Sequence, residues 1–276
     1  MTAGVSHARG GRRSRSRSLW TLALRIQTAL VFAFLMLPLL IVFPISFSSS
    51  SYLRFPPPGL SLRWYQAYLH DSVWIDATLR SLKIATVTTA LATLLGTLLA
   101  FSIVRGRYWG RDAVNQLAAL PIIVPTIVYS IAVYGLFSQL KLIGLWQGIA
   151  LAHTVYAIPF VTIVVTAGLR TFDIAQEQAA MGLGASRLTA VRRVTLPQIR
   201  PSLVSAAFLA FIASFDELVI AMFLGGSNMT LPKKMFDNIL LEIDPTIAAV
   251  SVLKIALVSL ILLLATRFGA GARFAV

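Results

Sequence analysis

Residues 84–104 read IATVTTALATLLGTLLAFSIV, a run of 21 positions without a charged side chain between Lys83 and Arg105. A helix needs about 20 apolar residues to cross a hydrocarbon core of about 30 Å. Three further uncharged runs, at 26–53, 113–140 and 142–169, are 28 residues long each. The chain therefore contains at least four segments that are long enough to span a bilayer.

Two more apolar segments carry charges in their interior. The segment from Pro201 to Pro232 is interrupted by Asp216 and Glu217, and that from Pro245 to Thr266 by Lys254. Counting both, the sequence predicts six spans, centred near residues 36, 93, 130, 159, 213 and 257. The expected fold class is an all-α membrane protein with six transmembrane helices.

The composition agrees with lipid as the solvent. Of 276 residues, 57% are hydrophobic and 12% charged, and the mean hydropathy is +0.80. Soluble domains carry about 25% charged residues. The chain has no cysteine, which excludes disulfides and thiolate metal sites. The first apolar run is too long for a cleavable signal peptide and is interpreted as a retained span.

The distribution of basic residues predicts the orientation. Sixteen Lys and Arg residues lie in the tail, in the loops after spans two and four and at the C-terminus, against five in the other loops. The positive-inside rule then places both termini in the cytoplasm, at the inner membrane. Residues 1–18, which contain RGGRRSRSRS, resemble an RNA-binding tract, but a disordered basic tail near anionic headgroups is favoured. Residues 19–276 are expected to form a six-helix transmembrane domain, and no nucleic acid is expected as a partner.

Several spans carry residues that affect helix packing. Prolines inside a span remove helical hydrogen bonds and are expected to bend it toward a pathway. Small residues at every fourth position let a neighbouring helix approach closely. Trp64, Tyr65, Tyr68 and Trp74 fit an amphipathic segment with an aromatic belt at the outer interface. The prolines are Pro121, Pro125 and Pro159, and the small residues are Ala92, Gly96 and Ala100.

A structured elbow is predicted at residues 173–197, within the segment DIAQEQAAMGLGASRLTAVRRVTLPQIRP (173–201). Asp173 and Gln176 have capping-box spacing, which would start a helix through Met181. Gly182 and Gly184 can end that helix, because glycine accepts the left-handed conformation.

The second arm of the elbow is predicted as another short helix. Ser186 caps it, it runs through Val194, and Pro197 stops it. Pro201 then suits the first turn of span five. This arm would present Arg187, together with Arg192 and Arg193, to solvent or to a partner.

The elbow resembles the signature of ABC importer permeases, in which Glu-Ala-Ala, three residues, Gly, nine residues, Ile, one residue and Leu-Pro follow in order. The matching residues here are Gln178, Ala179, Ala180, Gly184, Val194, Leu196 and Pro197. Gln178 replaces the usual glutamate, and Val194 replaces isoleucine. Glu177 offers a carboxylate one position earlier, about 100° around the helix. With Glu177 and Arg187, these residues are the candidate ATPase-coupling surface.

Most of the chain from Leu19 onward is similar to the spermidine/putrescine branch of these permeases, through FPPPGLSLRWY, RSLKIATVTT, SFDELVIA, TLPKKMFD and IDPTIAAVS. The resemblance implies a type I importer bundle whose first helix wraps on a second, homologous permease. It also implies a coupling helix in the elbow, two copies of an ATPase that holds ATP-Mg, a periplasmic binding protein, and surrounding membrane lipid.

The function implied is import of polyamines or related small amines. The same machinery for another small solute, such as an amino acid derivative, an opine or a phosphonate, stays an alternative, as does a stand-alone secondary transporter. The chain has no GxxxxGK[ST] phosphate loop, no metal site and no nucleophile–base cluster. We therefore expect a non-catalytic subunit that binds no cofactor itself.

Asp216 and Glu217 are candidates for the substrate pathway. An ionisable group inside a span costs at least about 2.5 kcal/mol on insertion scales, which favours a functional role. Aromatic faces that stabilise a cationic cargo could come from Phe215, Tyr129 and Tyr134. Alternatively, an acid simply neutralises Lys254 at the same depth. If both acids lie on one helix about 100° apart, one can pair with Lys254 while the other faces the cavity.

Overall fold

The computed structural model describes the backbone of residues 10–241 and 244–269 and the side chains of residues 20–241 and 244–267. The regular elements in this part of the chain are helices. In chain order they are α1 Gly10–Ser46, α2 Arg63–His70, α3 Ser72–Arg105, α4 Arg111–Ile123, α5 Thr126–Gln139, α6 Trp146–Thr171, α7 Ile174–Gly182, α8 Arg187–Ala190, a π-helical turn Val191–Thr195, α9 Leu196–Gln198, α10 Arg200–Phe215, α11 Val219–Leu224, α12 Leu231–Leu241 and α13 Thr246–Gly269.

Four stretches of helix in the described residues are long and apolar enough to cross a membrane. They are Trp20–Ser46 of α1, the whole of α3, the whole of α6, and Thr246–Arg267 of α13. Two bent pairs also pass the same test: α4 with α5, bent by 104°, and Arg187–Gln198 with α10, bent by 72°. With each pair counted as one span the total is six, which is the predicted number, although the second pair includes residues 187–198, which the sequence placed in the elbow.

The centre of the bundle is formed by α3, α6 and α10, which pack against one another. Their contacts bury small side chains, including Ala92 and Ala100 on α3 and Ala206 on α10. A Cβ added at Gly96 would lie 2.7 Å from the Cβ of Val161 on α6. The predicted small-residue stripe is therefore confirmed as the surface along which α6 approaches α3.

The three span prolines have different effects. The 104° bend between α4 and α5 falls at Val124 and Pro125. Val124 is extended, with ψ of 128°, because the ring of a following proline disfavours the helical conformation. Pro121 and Pro159 lie inside α4 and α6, which continue through them. The expected bend is thus confirmed at Pro125, and at Pro121 and Pro159 it stays a prediction.

The first helix extends further toward the N-terminus than predicted. It begins at Gly10, so residues 10–18 of the expected disordered tail are helical, and residues 1–9 lie outside the described residues. Arginine has a good helix propensity, and adding residues to an existing helix is easier than nucleating one. In the membrane, α1 packs on α13 and leaves apolar side chains uncovered, such as Phe34, which is 77% exposed.

The segment between the first two spans divides differently from the prediction. Asp71 Oδ1 accepts a hydrogen bond from the backbone N–H of Val73 at 2.8 Å and caps α3, which separates α3 from α2. Two of the four aromatic residues expected at the interface, Tyr68 and Trp74, are buried in the core, with ring centroids 6.3 Å apart.

Candidate functional site

The first arm of the elbow forms where the sequence predicts it. Asp173 Oδ1 accepts a hydrogen bond from the backbone N–H of Ala175 at 2.9 Å, which caps α7. The helix ends at Gly182, and Gly184 has a left-handed φ of +93°. Gln176 does not complete a capping box, because its side-chain oxygen accepts from the amide of Gln198 in α9. That contact ties the two arms of the elbow together.

The second arm is longer than predicted. Ser186 Oγ accepts from the backbone N–H of Thr189 at 3.3 Å, as expected of a cap. The chain then continues through the π-helical turn and α9 to Gln198, so the prediction that Pro197 stops the helix is wrong. After the wider π-helical turn, Pro197 lies in the first turn of α9, where its missing N–H is tolerated. The 72° bend follows at Ile199, and Pro201 does lie in the first turn of α10.

Most of the signature residues are accessible on the elbow. Gln178, Ala179, Gly184, Arg187 and Pro197 are exposed, and Ala180, Val194 and Leu196 are half-buried. Leu183 (91% exposed) and Leu188 (68% exposed), which the sequence analysis did not single out, lie between them on the chain. The elbow therefore presents uncovered apolar side chains beside basic ones, a combination typical of an interaction surface.

Glu177 has a different position from its neighbours. It is 3% exposed, and its carboxylate forms an ion pair with Arg105 at the end of α3. The hydroxyl of Thr195, in the π-helical turn, donates to the same carboxylate oxygen at 2.5 Å. The suggestion that Glu177 offers a free carboxylate in place of the missing glutamate is thus corrected, since the rotation from Gln178 turns it inward. One carboxylate instead joins α3 to both arms of the elbow.

The fifth predicted span is interrupted at its two acids. Helix α10 ends at Phe215, and α11 begins at Val219. Glu217, 8% exposed, accepts hydrogen bonds from the backbone N–H groups of Val219 (3.0 Å), Ile220 (2.7 Å) and Ala221 (3.3 Å). The expectation of a continuous helix through both acids is wrong, because this carboxylate caps a new helix.

A buried histidine completes the surroundings of Glu217. His153 Nε2 lies 3.5 Å from Glu217 Oε2, and His153 Nδ1 lies 2.9 Å from Ser214 Oγ. His153 on α6 reaches Glu217 only through the packing of α6 against α10, so nothing in the sequence indicated this contact. The carboxylate of Glu217 is therefore held within the protein.

Asp216 forms the predicted ion pair with Lys254 of α13. Its side chain is 51% exposed, and that of Lys254 is 19% exposed. Both acids border a groove of about 430 Å³, but Asp216 is the exposed one. Of the two alternatives for the acids, pairing with Lys254 is found, and the other acid is buried as a helix cap.

The aromatic residues of this groove are not those predicted. Tyr156 and Phe160, four residues apart on α6, line it with their ring centroids 5.8 Å apart. Phe215 is buried and stacks on Phe211. Tyr129 donates to the carbonyl of Ala152 at 2.8 Å, and Tyr134 is exposed on α5. The spacing of Tyr156 and Phe160 around Pro159 was the signal that could have indicated them.

Within residues 10–241 and 244–269, no three His, Asp or Glu side chains come close enough together to hold a metal ion. The described residues offer two surfaces: an elbow that can contact a partner, and a groove lined by a half-exposed carboxylate and two aromatic rings.

Residues 92–273 match the family described as the binding-protein-dependent transport system inner membrane component. The chain belongs to this family. It is the inner-membrane permease subunit of an ABC transport system, with the six-helix bundle of that family. The match includes the elbow, the broken fifth span and the groove.

Individual relatives agree with the family assignment. The chain is 31% identical over 229 residues to the spermidine/putrescine transport system permease protein PotC of Haemophilus influenzae, covering 82% of this chain and 88% of that protein. It is 33% identical over 253 residues to the putrescine transport system permease protein PotI of Escherichia coli K12, covering 89% of each. The fold matches a chain of a bacterial ABC transporter involved in import of the acidic polysaccharide alginate, with a TM-score of 0.71, 16% identity, and coverage of 96% and 99%.

Proposed function

We propose that this permease subunit carries polyamines or related small amines across the inner membrane. The observation that carries the proposal is the half-exposed carboxylate of Asp216 beside Tyr156 and Phe160 in one groove. Carboxylates and aromatic faces stabilise an alkylammonium ion that has left water. Similarity to PotC and PotI, which are named for spermidine and putrescine, supports the same cargo class.

The ion pair at Asp216 suggests how the cargo binds. The side chain of Lys254 ends in a primary ammonium group, and so does each end of a polyamine. Asp216 thus already holds the functional group that the cargo would bring. We expect a cargo ammonium to exchange with Lys254 on Asp216, so that neither state leaves the carboxylate alone in the membrane.

The rest of the importer follows from the family. A second, homologous permease would cover the exposed apolar side chains of α1, and two copies of an ATPase would bind the elbows. A periplasmic binding protein would deliver the cargo, and both termini would lie in the cytoplasm, where the basic loops belong. ATP-Mg would bind the ATPase, and its closure would move the elbow and rock the helices. This chain would carry out no covalent chemistry.

The first test of the cargo uses the complete complex in proteoliposomes. ATPase activity is measured with binding protein loaded with putrescine, spermidine or other small amines, and with an amino acid derivative, an opine or a phosphonate for comparison. We expect stimulation by an amine and uptake of the same compound. Stimulation by one of the non-amine solutes alone would overturn the amine proposal and leave the permease assignment intact.

A second test separates cargo binding from charge pairing. Asp216→Asn and Lys254→Gln are compared with the double variant, and Asp76→Asn, at an exposed position of α3, is the control. Each single change leaves one charge without its partner, so both should lower the yield of folded complex. The double variant should restore folding but not amine uptake. Full uptake by the double variant would show that Asp216 only neutralises Lys254.

A further inference from the structure

A basic cavity of about 1050 Å³ lies between the end of α3, the end of α6 and the elbow. Five arginines and one glutamate contribute its charge: Arg105, Arg107, Arg111, Arg170, Arg187 and Glu177. Among the described residues, their ion pairs are Arg105 with Glu177 and Arg111 with the exposed Asp112, at 3.7 Å. The cavity therefore carries an excess of positive charge.

Arg105, which lines this cavity, has an unused hydrogen-bond donor. Its side chain is 9% exposed, and Nη1 pairs with Glu177. Nη2 is buried and has no hydrogen-bond partner among the described residues. The guanidinium is held over the rings of Phe101 and Phe172, at 5.0 Å and 5.7 Å from their centroids. A buried donor without a partner is unfavourable, so an acceptor is expected here.

The position of the cavity indicates the chemistry of that acceptor. Helices α3 and α6 are membrane-spanning, and the cavity opens where both end. The guanidinium fork matches the oxygens of a phosphate group, with two parallel hydrogen bonds. Basic pockets between membrane helices at the cytoplasmic surface bind the phosphate-containing headgroups of anionic lipids.

We propose that this cavity binds a phosphate group, supplied by the headgroup of an anionic phospholipid or by free inorganic phosphate. The inference rests on the proposed orientation, which places the cavity at the cytoplasmic surface. The bound oxygen accepts from Nη2 of Arg105, while Arg107 and Arg170 supply further charge. The same guanidinium also holds Glu177 of the elbow. Binding of the anion therefore affects the position of the elbow.

The test uses the assembled complex in nanodiscs of phosphatidylcholine with increasing phosphatidylglycerol. Native mass spectrometry measures the phosphatidylglycerol retained by the wild type and by R107Q/R170Q. These two arginines are exposed and take no part in the ion pair of Arg105 with Glu177, so the variant should fold. Arg267→Gln is the control, because Arg267 is an exposed arginine at the end of α13 and does not line the cavity.

We expect the affinity to fall about fivefold for each arginine removed, or about 25-fold for R107Q/R170Q, since a basic residue near anionic lipid contributes about 1 kcal/mol. Arg267→Gln should retain the lipid like the wild type. Equal retention by the wild type and R107Q/R170Q would exclude the lipid as the source.

The second source is tested in nanodiscs that contain phosphatidylcholine alone. Inorganic phosphate is added, and the rate of tryptic cleavage in the elbow is measured. Slower cleavage in the wild type but not in R107Q/R170Q would identify free phosphate as the ligand. If neither phosphatidylglycerol nor phosphate distinguishes the two proteins, the proposal is overturned. Both readouts are independent of cargo, so loss of amine-stimulated ATPase activity with intact anion binding would overturn the proposed cargo alone.

Discussion

Glu177 in the elbow and Glu217 in the membrane are both almost fully buried, but their charges are compensated in different ways. Glu177 pairs with an arginine 72 positions earlier in the chain and accepts from Thr195 on the other arm of the elbow. Glu217 accepts from the backbone N–H groups of Val219, Ile220 and Ala221, which follow it by two to four positions in the chain. Glu177 is stabilised by side chains that are distant in the sequence, and Glu217 by backbone N–H groups of the residues that follow it.

The difference has structural consequences. A carboxylate that depends on Arg105 and Thr195 is satisfied only when α3, α7 and the π-helical turn are packed together, so it ties their positions to one another. A carboxylate that caps a helix must stand at a helix start, so it interrupts the span. Glu177 thus connects three segments at the elbow. Glu217 instead stands where α10 has ended and α11 begins.

The largest effect is expected for Glu177→Ala. This change leaves the guanidinium of Arg105 buried without its counter-charge, which typically costs about 3–5 kcal/mol. We expect a lower melting temperature for the complex, faster proteolysis at the elbow and loss of the co-purifying ATPase.

Gln178→Ala, at the exposed neighbouring position, is the control for stability. The double variant Arg105→Met with Glu177→Leu removes both charges and should recover most of the melting temperature. If Glu177→Ala melts like the wild type, the ion pair does not hold the elbow.

A smaller loss is expected for Glu217→Ala. It leaves backbone N–H groups at the start of α11 without their acceptor, at about 1–3 kcal/mol. Glu217→Gln keeps one side-chain oxygen and should lose less. Thermal unfolding of the purified chain in detergent measures both. Equal losses for the two variants would indicate that the charge beside His153, and not the cap, stabilises this break.

Asp173→Ala tests a cap that is exposed. Asp173 caps α7 as Glu217 caps α11, but in contact with water, which can replace the lost acceptor. We expect about 1 kcal/mol, within the usual range for an N-cap. Asp173→Asn, which keeps an acceptor, is the matched control. Hydrogen exchange at the first turn of α7 reports the change, and no difference between the two variants would contradict the capping role.

The smallest effect is expected for Asp112→Asn. Its oxygen lies 3.7 Å from Nε of Arg111, and both side chains are exposed, so water and salt screen the pair. We expect less than about 1 kcal/mol in the melting experiment. A loss as large as that of Glu177→Ala would mean that exposure does not distinguish the two pairs.

The sequence was sufficient for features that repeat along the chain or depend on near neighbours. Four uncharged runs and two apolar segments with few charges indicated six spans, the stripe around Gly96 indicated where a neighbouring helix packs, and Asp173 and Ser186 indicated where two helices of the elbow begin. The equal depth of Asp216 and Lys254 in their predicted spans also indicated that the two side chains could pair. The family resemblance was confirmed by the match over residues 92–273.

The sequence was insufficient where contacts join distant segments. Glu177 was expected at the surface, Phe215 in the pathway and both membrane acids on a continuous helix. The structure buries Glu177 on Arg105, buries Phe215 on Phe211, and ends α10 before the acids. Each of these outcomes depends on which face of a helix meets another segment.

By itself, the sequence determined that this is a membrane protein, how many spans it has, where its elbow lies and to which family it belongs. Hydropathy, charge and motif spacing are local properties of the chain and can be read without the fold. Only the tertiary structure decided which acid is half-exposed and which is buried, and which arginine holds the elbow. A buried charge must find its partner in space, and Arg105 and Glu177 meet only after α3, α6 and the elbow have packed together.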